Sequence, residues 1–481
     1  MNLLNSLIEK IKSYNTNNVY TIEKCFKNIK KINPKINAFI RLNEKKSLEK
    51  ANKFDKIAEK HKLHNKILIG IPIGIKDNIM IKNELVTSAS KYFKDYVSPY
   101  DATVIKKLKN AGAIFVGQTN MDEFAMGGST ETSIYGITRN PWNLEYISGG
   151  SSGGSAAVVS SGMVPVALGS DTGGSVRQPA SFCGVVGYKP SYGLISRYGV
   201  CALASSFDQI GIFSKTVFDS AILMNVISGV DRKDQICESI NNTDYTYNLT
   251  KNKTFKKIKI GIPKQLYDYK IDTEILKSFN NAIDKLKLRN IQICDVNIPF
   301  YKYIPAIYKT IMCAEVSANI ATFDGIRYGH KAINVNNLYD EYSKTRAESF
   351  GYEVKKRILF GTYVLESKNH NKYYNTAQKA RTILIKQINN AYKKCDFIFS
   401  PSTLQMPVKF GKSLSDECDM FLIAANIAGL PGISVPYSSS PFSKIPIGMH
   451  FMGKRFSDAN LFKIAYEFEK ITNFKKEYPK L

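Results

Sequence analysis

The sequence is poor in histidine, and its glycine- and serine-rich part contains none. It has five histidines, and none of them lies between Gly70 and Gly329. A Ser-His-Asp triad built on the serines of this part would need a distant histidine. The run GGSSG at 149–153 matches the nucleophile-elbow pattern, but that motif follows a strand, and residues 140–146 have the proline and asparagine content of a loop. The sequence therefore points away from a histidine-dependent serine hydrolase.

Metal-binding and nucleotide-binding patterns are also missing. The eight cysteines form no CxxC or CxxH pair, so neither a zinc site nor a disulfide framework is indicated. In a chain of 481 residues the thiols are expected to be buried in a reducing compartment. A P-loop is absent too, so we expect no ATP site and no cofactor in this chain.

Long apolar segments are lacking as well. No stretch of about 18 apolar residues occurs, and the nearest, Met420 to Val435, is interrupted by Asn426 and Pro431. Residues Met1 to Lys12 include Glu9 among their lysines and have no continuous apolar segment, unlike a signal peptide. We expect no membrane association and a location in the cytoplasm, or in the matrix or stroma of an organelle.

Positively charged residues are in excess over negatively charged ones. The 67 Lys and Arg residues outnumber the 41 Asp and Glu residues, which gives a net charge of +26. Basic surfaces attract nucleic-acid phosphates. The lysines are nevertheless scattered among Asn and Ile residues, without a long basic run or an aromatic-basic motif. Biased codon usage therefore carries more weight as an explanation than direct tRNA binding, which stays open.

The pattern of apolar segments predicts an α/β fold. Residues 67–75 and 113–116 indicate strands on either side of a helix from Asp101 to Gly112, and a second strand-helix-strand unit spans residues 258–296. Such units form a mainly parallel sheet. Helical periodicity in residues 3–58 predicts a helical region over residues 1–60 that packs on the core, followed by a catalytic domain over residues 61–481.

The most informative stretch runs from Ser148 to Ser196 and combines paired glycines with serines. A strand is predicted at Val164–Gly169 and a helical turn at Ser175–Phe182, so that Ser175 stands where free backbone N–H groups could stabilise an oxyanion. The predicted donors are the N–H groups of Thr172, Gly173, Gly174 and Ser175 itself. A serine in such a turn is more often only a helix N-cap.

Lys76 supplies the base that histidine does not. It ends the apolar run from Ile67 to Ile75, and a lysine at the mouth of a buried strand loses solvation, which lowers its pKa. Ser-Lys catalysis is a known alternative to the histidine triad. Lys76 and Ser175 are therefore the predicted base and nucleophile, against the ordinary alternative of a solvated lysine.

These residues resemble the signature of the amidase-signature family, serine hydrolases with a Ser-cisSer-Lys triad. The most specific fragment is Gly169–Ala180, GSDTGGSVRQPA. The resemblance assigns Lys76 to the family's lysine, Ser151 to the serine that follows a cis peptide bond and relays the proton, and Ser175 to the nucleophile. It implies an amidase-signature α/β/α sandwich with a mixed, largely parallel central sheet.

Further fragments are similar to the glutaminase subunits of tRNA-dependent amidotransferases within this family. They are Asn120–Ser129, Thr138–Asn143, Phe323–Gly329 and Ala428–Gly432. This resemblance implies that the chain hydrolyses glutamine and supplies ammonia for converting Glu-tRNA(Gln) to Gln-tRNA(Gln). It also implies a heterotrimer with B and C subunits, in which the partner subunit uses ATP and Mg and tRNA is bound through the complex.

The resemblance also suggests residues for glutamine binding. A glutaminase must hold an α-carboxylate and an α-amine, which calls for an Arg and an Asp. Arg357 and Asp419 are assigned to these roles, and Tyr308 to the same pocket. This chain departs from its relatives by having Lys356 before Arg357, where two adjacent arginines are usual, so the neighbouring position stays open as the clamp.

Two other functions stay open at this stage. A stand-alone amidase of the same family, acting on small or fatty amides, would be active without partners and would not need Arg357 or Asp419. A non-catalytic scaffold or tRNA-binding protein would keep the fold without the reaction. The presence of Lys76, Ser151 and Ser175 together argues against the scaffold.

Overall fold

The structure is a computed structural model of the whole chain. It describes residues 3–13, 16–58, 66–238, 243–247, 249, 258–472, 474 and 478–481. The predicted boundary between residues 60 and 61 lies outside the described residues, so the division into a helical region and a catalytic domain stays a prediction.

The strands of the described residues are short and separated by helices. They are β1 (Phe39–Leu42), β2 (Pro72–Lys76), β3 (Ile114–Thr119), β4 (Arg139–Asn140), β5 (Asn143–Ile147), β6 (Val166–Asp171), β7 (Val186–Lys189), β8 (Gln209–Ser214), β9 (Lys259–Pro263), β10 (Gln292–Val296), β11 (Phe397–Pro401), β12 (Gly432–Ser439) and β13 (Pro446–Gly453).

The helices follow the same chain order. They are α1 (Leu3–Lys12), α2 (Asn18–Ile36), α3 (Glu44–Ala58), α4 (Thr103–Asn110), α5 (Gly153–Ser160), α6 (Arg177–Cys183), α7 (Val217–Ile227), α8 (Thr273–Leu288), α9 (Ile304–Ile320), α10 (Leu338–Ser349), α11 (Tyr352–Leu365), α12 (Ser367–His370), α13 (Thr376–Ala391), α14 (Met420–Ile427) and α15 (Asp458–Glu469). Of the helices described, none is both long and apolar enough to span a membrane.

Eleven strands form one central sheet in the order β1-β3-β2-β6-β8-β7-β12-β13-β11-β9-β10. Strands β2, β6, β8 and β13 are buried along their whole length, which is the pattern of strands covered on both faces. The predicted α/β fold with a mixed sheet is thus confirmed.

Parallel pairing does not predominate in this sheet, which corrects one part of the prediction. Four neighbouring pairs are parallel, in the blocks β3-β2-β6 and β11-β9-β10. The other six pairs are antiparallel. The strand-helix-strand units β2-α4-β3 and β9-α8-β10 give parallel pairs as predicted. The centre is antiparallel because β12 and β13 form a hairpin and β8 runs opposite to both β6 and β7.

Partly buried polar contacts tie the N-terminal helices to each other and to the segment before β4. The Asp55 carboxylate of α3 accepts hydrogen bonds from the N–H groups of Asn18 and Val19 at the start of α2 (2.9 and 3.0 Å). At the end of α2, Asn37 adopts a left-handed conformation and donates to the carbonyl of Tyr135 (2.8 Å). These contacts fix α2 and α3 beside β1, at the edge of the sheet.

Residues 140–146 are not the loop that their composition suggests. Strands β4 and β5 form a separate two-stranded ribbon there. The buried Asn140 stabilises it, because its amide donates to the carbonyls of Ile147 and Phe182 (3.2 and 2.9 Å). The ribbon leads directly into the Gly149–Ser151 segment.

Candidate active site

The predicted base stands where two parallel strands end. Lys76 is the last residue of β2 and Asp171 is the last residue of β6, and these strands pair in parallel with Ile75 opposite Leu168. Because the carboxyl ends of parallel strands meet at one edge of a sheet, the loops that follow them come together there. The loop after β6 carries Ser175, and Ser151 reaches the same place from the segment between β5 and α5.

The amine of Lys76 lies among hydroxyl groups. Its Nζ is 2.8 Å from Ser151 Oγ, 2.7 Å from Ser152 Oγ and 2.9 Å from Ser170 Oγ, and its side chain is fully buried. Its hydrogen-bond partners in the described part of the chain are thus hydroxyls, with the Ser170 carbonyl farther away at 3.5 Å. Burial lowers the pKa of Lys76 from 10.5 to about 7, although nearby carboxylates oppose this. The amine is therefore close to half neutral at pH 7 and can accept a proton.

Ser151 follows a backbone segment that tolerates no side chain. The Gly150–Ser151 peptide bond is cis, as the resemblance implied. A Cβ added at Gly150 would lie 2.2 Å from Oδ2 of Asp122 and 2.6 Å from the backbone nitrogen of Ser129. The Gly150 N–H donates to the Gln178 side chain (2.9 Å). This packing holds the Ser151 hydroxyl against Lys76.

The loop that carries Ser175 is organised by one buried carboxylate. Asp171 accepts hydrogen bonds from the N–H groups of Gly174 (2.9 Å) and Val176 (3.0 Å), on either side of Ser175. Arg177 donates to the same carboxylate from Nε and Nη2 at 3.1 and 2.9 Å. Burial alone would raise the pKa of Asp171, but the Arg177 guanidinium holds it well below the usual value. The carboxylate therefore stays ionised and keeps the loop in one shape.

Ser175 is half-buried and lies next to the Ser151 segment. Its carbonyl accepts a hydrogen bond from the Ser152 N–H at 3.2 Å, which ties the two serine-bearing loops together. Its Oγ makes no hydrogen bond to the described part of the chain, so the contact from Ser151 to Lys76 is formed while that from Ser175 to Ser151 is not. The role of Ser175 as the nucleophile stays a prediction.

The predicted oxyanion donors are not equivalent. The N–H of Gly174 donates to the Asp171 carboxylate. It is therefore not a free donor for an oxyanion, contrary to the prediction. The N–H groups of Thr172 and Gly173 make no loop or side-chain hydrogen bond within the described part of the chain. Thr172 is held by its hydroxyl, which donates to Asp208 (2.7 Å). Gly174 differs because the Asp171 side chain at the end of β6 accepts its N–H. The N–H groups of Thr172, Gly173 and Ser175 remain the predicted donors.

The arrangement suits nucleophilic attack on a carbonyl carbon. A hydroxyl nucleophile, a second hydroxyl and an amine of lowered pKa lie close together, beside backbone N–H groups that could stabilise an oxyanion. The Amidase family profile matches residues 20–462. The chain belongs to this amidase family.

The relatives of this amidase cover nearly its whole length. It is 62% identical to the A subunit of the glutamyl-tRNA(Gln) amidotransferase of Endomicrobium trichonymphae over 477 residues, 99% of this chain and 98% of that protein. The crystal structure of the A subunit of the Thermotoga maritima glutamyl-tRNA(Gln) amidotransferase superposes with a TM-score of 0.79 at 39% identity, covering 95% of this chain and 94% of that one. The peptide amidase of Stenotrophomonas maltophilia has a TM-score of 0.85 at 25% identity, covering 98% and 97%.

Two of the three predicted glutamine-binding residues of this amidase flank the Ser175 loop. A Cβ added at Gly173 would lie 2.6 Å from Oη of Tyr308, and one added at Gly174 would lie 3.8 Å from Cβ of Asp419. Burial raises the pKa of Asp419 to about 7, and its Oδ1 is buried without a hydrogen-bond partner in the described chain. Such a carboxylate is open to an incoming cation.

Arg357 is farther from the loop. Its Nη1 lies 3.8 Å from the Met312 sulfur, and its Nε lies 3.9 Å from a Glu353 carboxylate oxygen. Burial raises the pKa of Tyr308, and the Arg357 charge opposes that shift, so the guanidinium lies within electrostatic range of the tyrosine. The three residues stand on α9, on α11 and just before α14. Their binding roles stay predictions.

Several residues of this site were missed by sequence reasoning. They are Ser152, Ser170, Asp122, Asp171 and Arg177. A usable signal existed for the last two, since a charged pair six residues apart inside a buried, glycine-rich segment implies an ion pair. No local signal marks Asp122, which reaches the site from a loop 46 residues after Lys76 (122 − 76).

Proposed function

We propose that this chain is the glutamine-hydrolysing A subunit of a glutamyl-tRNA(Gln) amidotransferase. The observation that carries the proposal is the buried Lys76 amine, 2.8 Å from the hydroxyl of Ser151, in a chain 62% identical to such a subunit. Lys76 has hydroxyl partners, and burial lowers its pKa to about 7. These properties fit the role of a proton acceptor better than that of a permanently charged partner in an ion pair.

The reaction follows from these positions. Ser175 Oγ attacks the side-chain amide carbonyl of glutamine and passes its proton to Ser151, which passes its own proton to the neutral Lys76. The N–H groups of Thr172 and Gly173 stabilise the resulting oxyanion. The proton returns along the same path to the leaving nitrogen, the C–N bond breaks, and ammonia departs. Water, deprotonated through Ser151 and Lys76, then hydrolyses the glutamyl ester of Ser175 to glutamate.

The glutamine substrate is held by charge. Asp419 binds the α-ammonium group and Arg357 the α-carboxylate, and Tyr308 lines the pocket beside Gly173. Binding of both the α-ammonium group and the α-carboxylate selects an amino acid substrate over a simple amide. This requirement separates the proposal from a stand-alone hydrolase of small or fatty amides.

The ammonia is used by a partner. We propose a heterotrimer with B and C subunits, in which the partner subunit binds ATP and Mg and converts Glu-tRNA(Gln) to Gln-tRNA(Gln), while tRNA reaches this chain only through the complex. The location that fits this role is the site of protein synthesis, in the cytoplasm or in an organelle. The relatives that carry the amidotransferase name support this assignment.

The test separates glutamine hydrolysis from the use of ammonia. The purified complex should form Gln-tRNA(Gln) from Glu-tRNA(Gln) and ATP with either glutamine or ammonium chloride. A Ser175→Ala complex should lose the reaction with glutamine and keep the one with ammonium chloride, because only the ammonia source is destroyed. Glutamine-dependent activity in Ser175→Ala at the wild-type rate would exclude this serine as the nucleophile.

A further inference from the structure

Helix α14 connects the substrate side of the site to the catalytic side. Asp419 stands immediately before it, and Asn426 lies in its last turn. Both residues border the Ser175 turn: a Cβ added at Gly174 would lie 3.8 Å from Cβ of Asp419, and Asn426 contacts the Asp171 carboxylate. The helix is otherwise apolar and buried throughout. A buried amide in such a helix needs specific partners.

Asn426 bridges the buried ion pair behind Ser175. Its Oδ1 accepts from Arg177 Nη2 at 2.6 Å, and its Nδ2 donates to Asp171 Oδ1 at 2.9 Å. Arg177 also donates from Nη1 to the Leu422 carbonyl of α14 at 2.8 Å. Helix α14 is therefore fastened to the ion pair at two points.

That ion pair fixes the backbone around the nucleophile. The Asp171 carboxylate holds the N–H groups of Gly174 and Val176, and α14 packs directly on this turn. A Cβ added at Gly174 would lie 3.2 Å from Leu422 Cβ. Any displacement of α14 is transmitted to Ser175 through these contacts, because the buried groups have no water to replace a lost partner.

We propose that Asn426 is a positioning residue that couples glutamine held at Asp419 to the alignment of Ser175. The coupling runs from the start of α14, through the Asn426 amide, to the carboxylate of Asp171 and the turn on either side of the nucleophile. It rests on the proposed function, since glutamine supplies the ammonium group that Asp419 would hold.

An isosteric exchange tests the amide directly. In Asn426→Asp the introduced carboxyl contacts Asp171 from α14, with Arg177 of α6 in contact with both and His450 of β13 3.2 Å from Arg177. Lys189 of β7 also acts on Asp171. A protonated carboxyl can donate to Asp171 as the amide does, whereas an ionised one cannot and repels it.

The experiment compares variants of the whole complex by glutamine hydrolysis. We expect Asn426→Ala to lower kcat about tenfold or more and to slow covalent labelling of Ser175 by a fluorophosphonate. For Asn426→Asp we expect the ratio of variant to wild-type kcat to fall as the pH rises from about 6 to 9. A purely structural loss would lower activity without this dependence on pH.

A matched control lies beside the edge strand β1 of the sheet. Asn33 is a partly buried amide with three hydrogen bonds, in which it accepts from the N–H groups of Ala38 and Phe39 and donates to the carbonyl of Phe39. It lies at the end of α2, away from the Ser175 loop. We expect Asn33→Ala to lower thermal stability while leaving kcat and the labelling rate at wild-type values.

The outcomes separate the coupling from the proposed function. Wild-type kcat and labelling in Asn426→Ala, or a ratio for Asn426→Asp that does not change with pH, would overturn the coupling. If the first variant does not fold, the isosteric second one decides. Loss of the proposed function would appear instead as glutamine hydrolysis by Ser175→Ala. An inactive Ser175→Ala beside a fully active Asn426→Ala would overturn the coupling alone.

Discussion

Replacing Lys76 by methionine tests whether the fold holds this amine neutral. Burial lowers the pKa of Lys76 from 10.5 to about 7. Between these pH values the lysine is protonated in the unfolded chain and largely neutral in the folded one, so unfolding takes up a proton. The free energy of unfolding of the wild type therefore rises with pH across this window. Below about pH 7 both states are protonated and the dependence ends.

The size of the effect follows from the shift. At about 1.4 kcal/mol per pKa unit, the fall from 10.5 to about 7 corresponds to about 5 kcal/mol, of which about 3 kcal/mol develops between pH 7 and pH 10. Methionine removes this term. It also leaves the hydroxyls of Ser151, Ser152 and Ser170 without their donor, which costs about 1 kcal/mol each at any pH. We expect Lys76→Met to be more stable than the wild type by about 1 kcal/mol near pH 7 and less stable by about 2 kcal/mol near pH 10.

Urea denaturation of both chains at several pH values measures this difference. Other titrating groups are common to the two chains and cancel, so the slope of the difference reports on Lys76 alone. The same exchange at Lys106, which is exposed on α4, removes a lysine in contact with water and should give no comparable slope. A difference for Lys76→Met that stays within about 1 kcal/mol from pH 7 to pH 10 would refute a buried neutral lysine.

Three further predictions concern the same site. Because Lys76 must be neutral to accept a proton, kcat/KM for glutamine should fall about tenfold per pH unit below about pH 7; a plateau down to pH 5 would contradict this. Gly150→Ala should lower kcat at least tenfold, because the added Cβ would lie 2.2 Å from Oδ2 of Asp122. Gly128→Ala is the control: its added Cβ would lie 3.7 Å from the nearest neighbouring atom, so the loss of kcat should be small. Asp419→Asn should raise KM for glutamine about tenfold or more at pH 8 and less at pH 6. Burial raises the pKa of Asp419 to about 7, and only the ionised carboxylate attracts the ammonium group of glutamine. An equal KM in the variant and the wild type at pH 8 would exclude Asp419 from the pocket.

The strand that carries Lys76 could be predicted because its signals are local. An uninterrupted apolar run ending in a charged residue indicates a buried strand and its end, and the helix and strand that follow β2 have clear periodicity. Pairing across the centre of the sheet could not be predicted in this way. Strand β7 pairs with β12 more than 240 residues later, and only tertiary packing selects that neighbour. This is why parallel pairing was expected to predominate.

The serines of the site were predictable as a group, but their separate contacts were not. Paired glycines mark the turns that carry Ser151 and Ser175. The same sequence gives no reason why Lys76 should contact Ser152 and Ser170 as closely as Ser151, since that depends on how α5 and β6 converge on β2. Asn426 was visible in the sequence only as an interruption of an apolar segment. Its partners come from β6 and α6, about 250 residues earlier.

Two buried cations lie behind the same turn, and their partners decide what each can do. Arg177 faces a carboxylate, an amide and a carbonyl, and these hydrogen bonds hold the structure of the Ser175 loop. Lys76 faces hydroxyls, which can stabilise its ammonium form only in part, and burial therefore favours the neutral amine. The same hydroxyls supply three acceptors for the three N–H groups that exist once the proton has arrived. The fold thus places the Asp171 carboxylate in contact with the guanidinium that holds the loop, and hydroxyls in contact with the amine that must accept a proton.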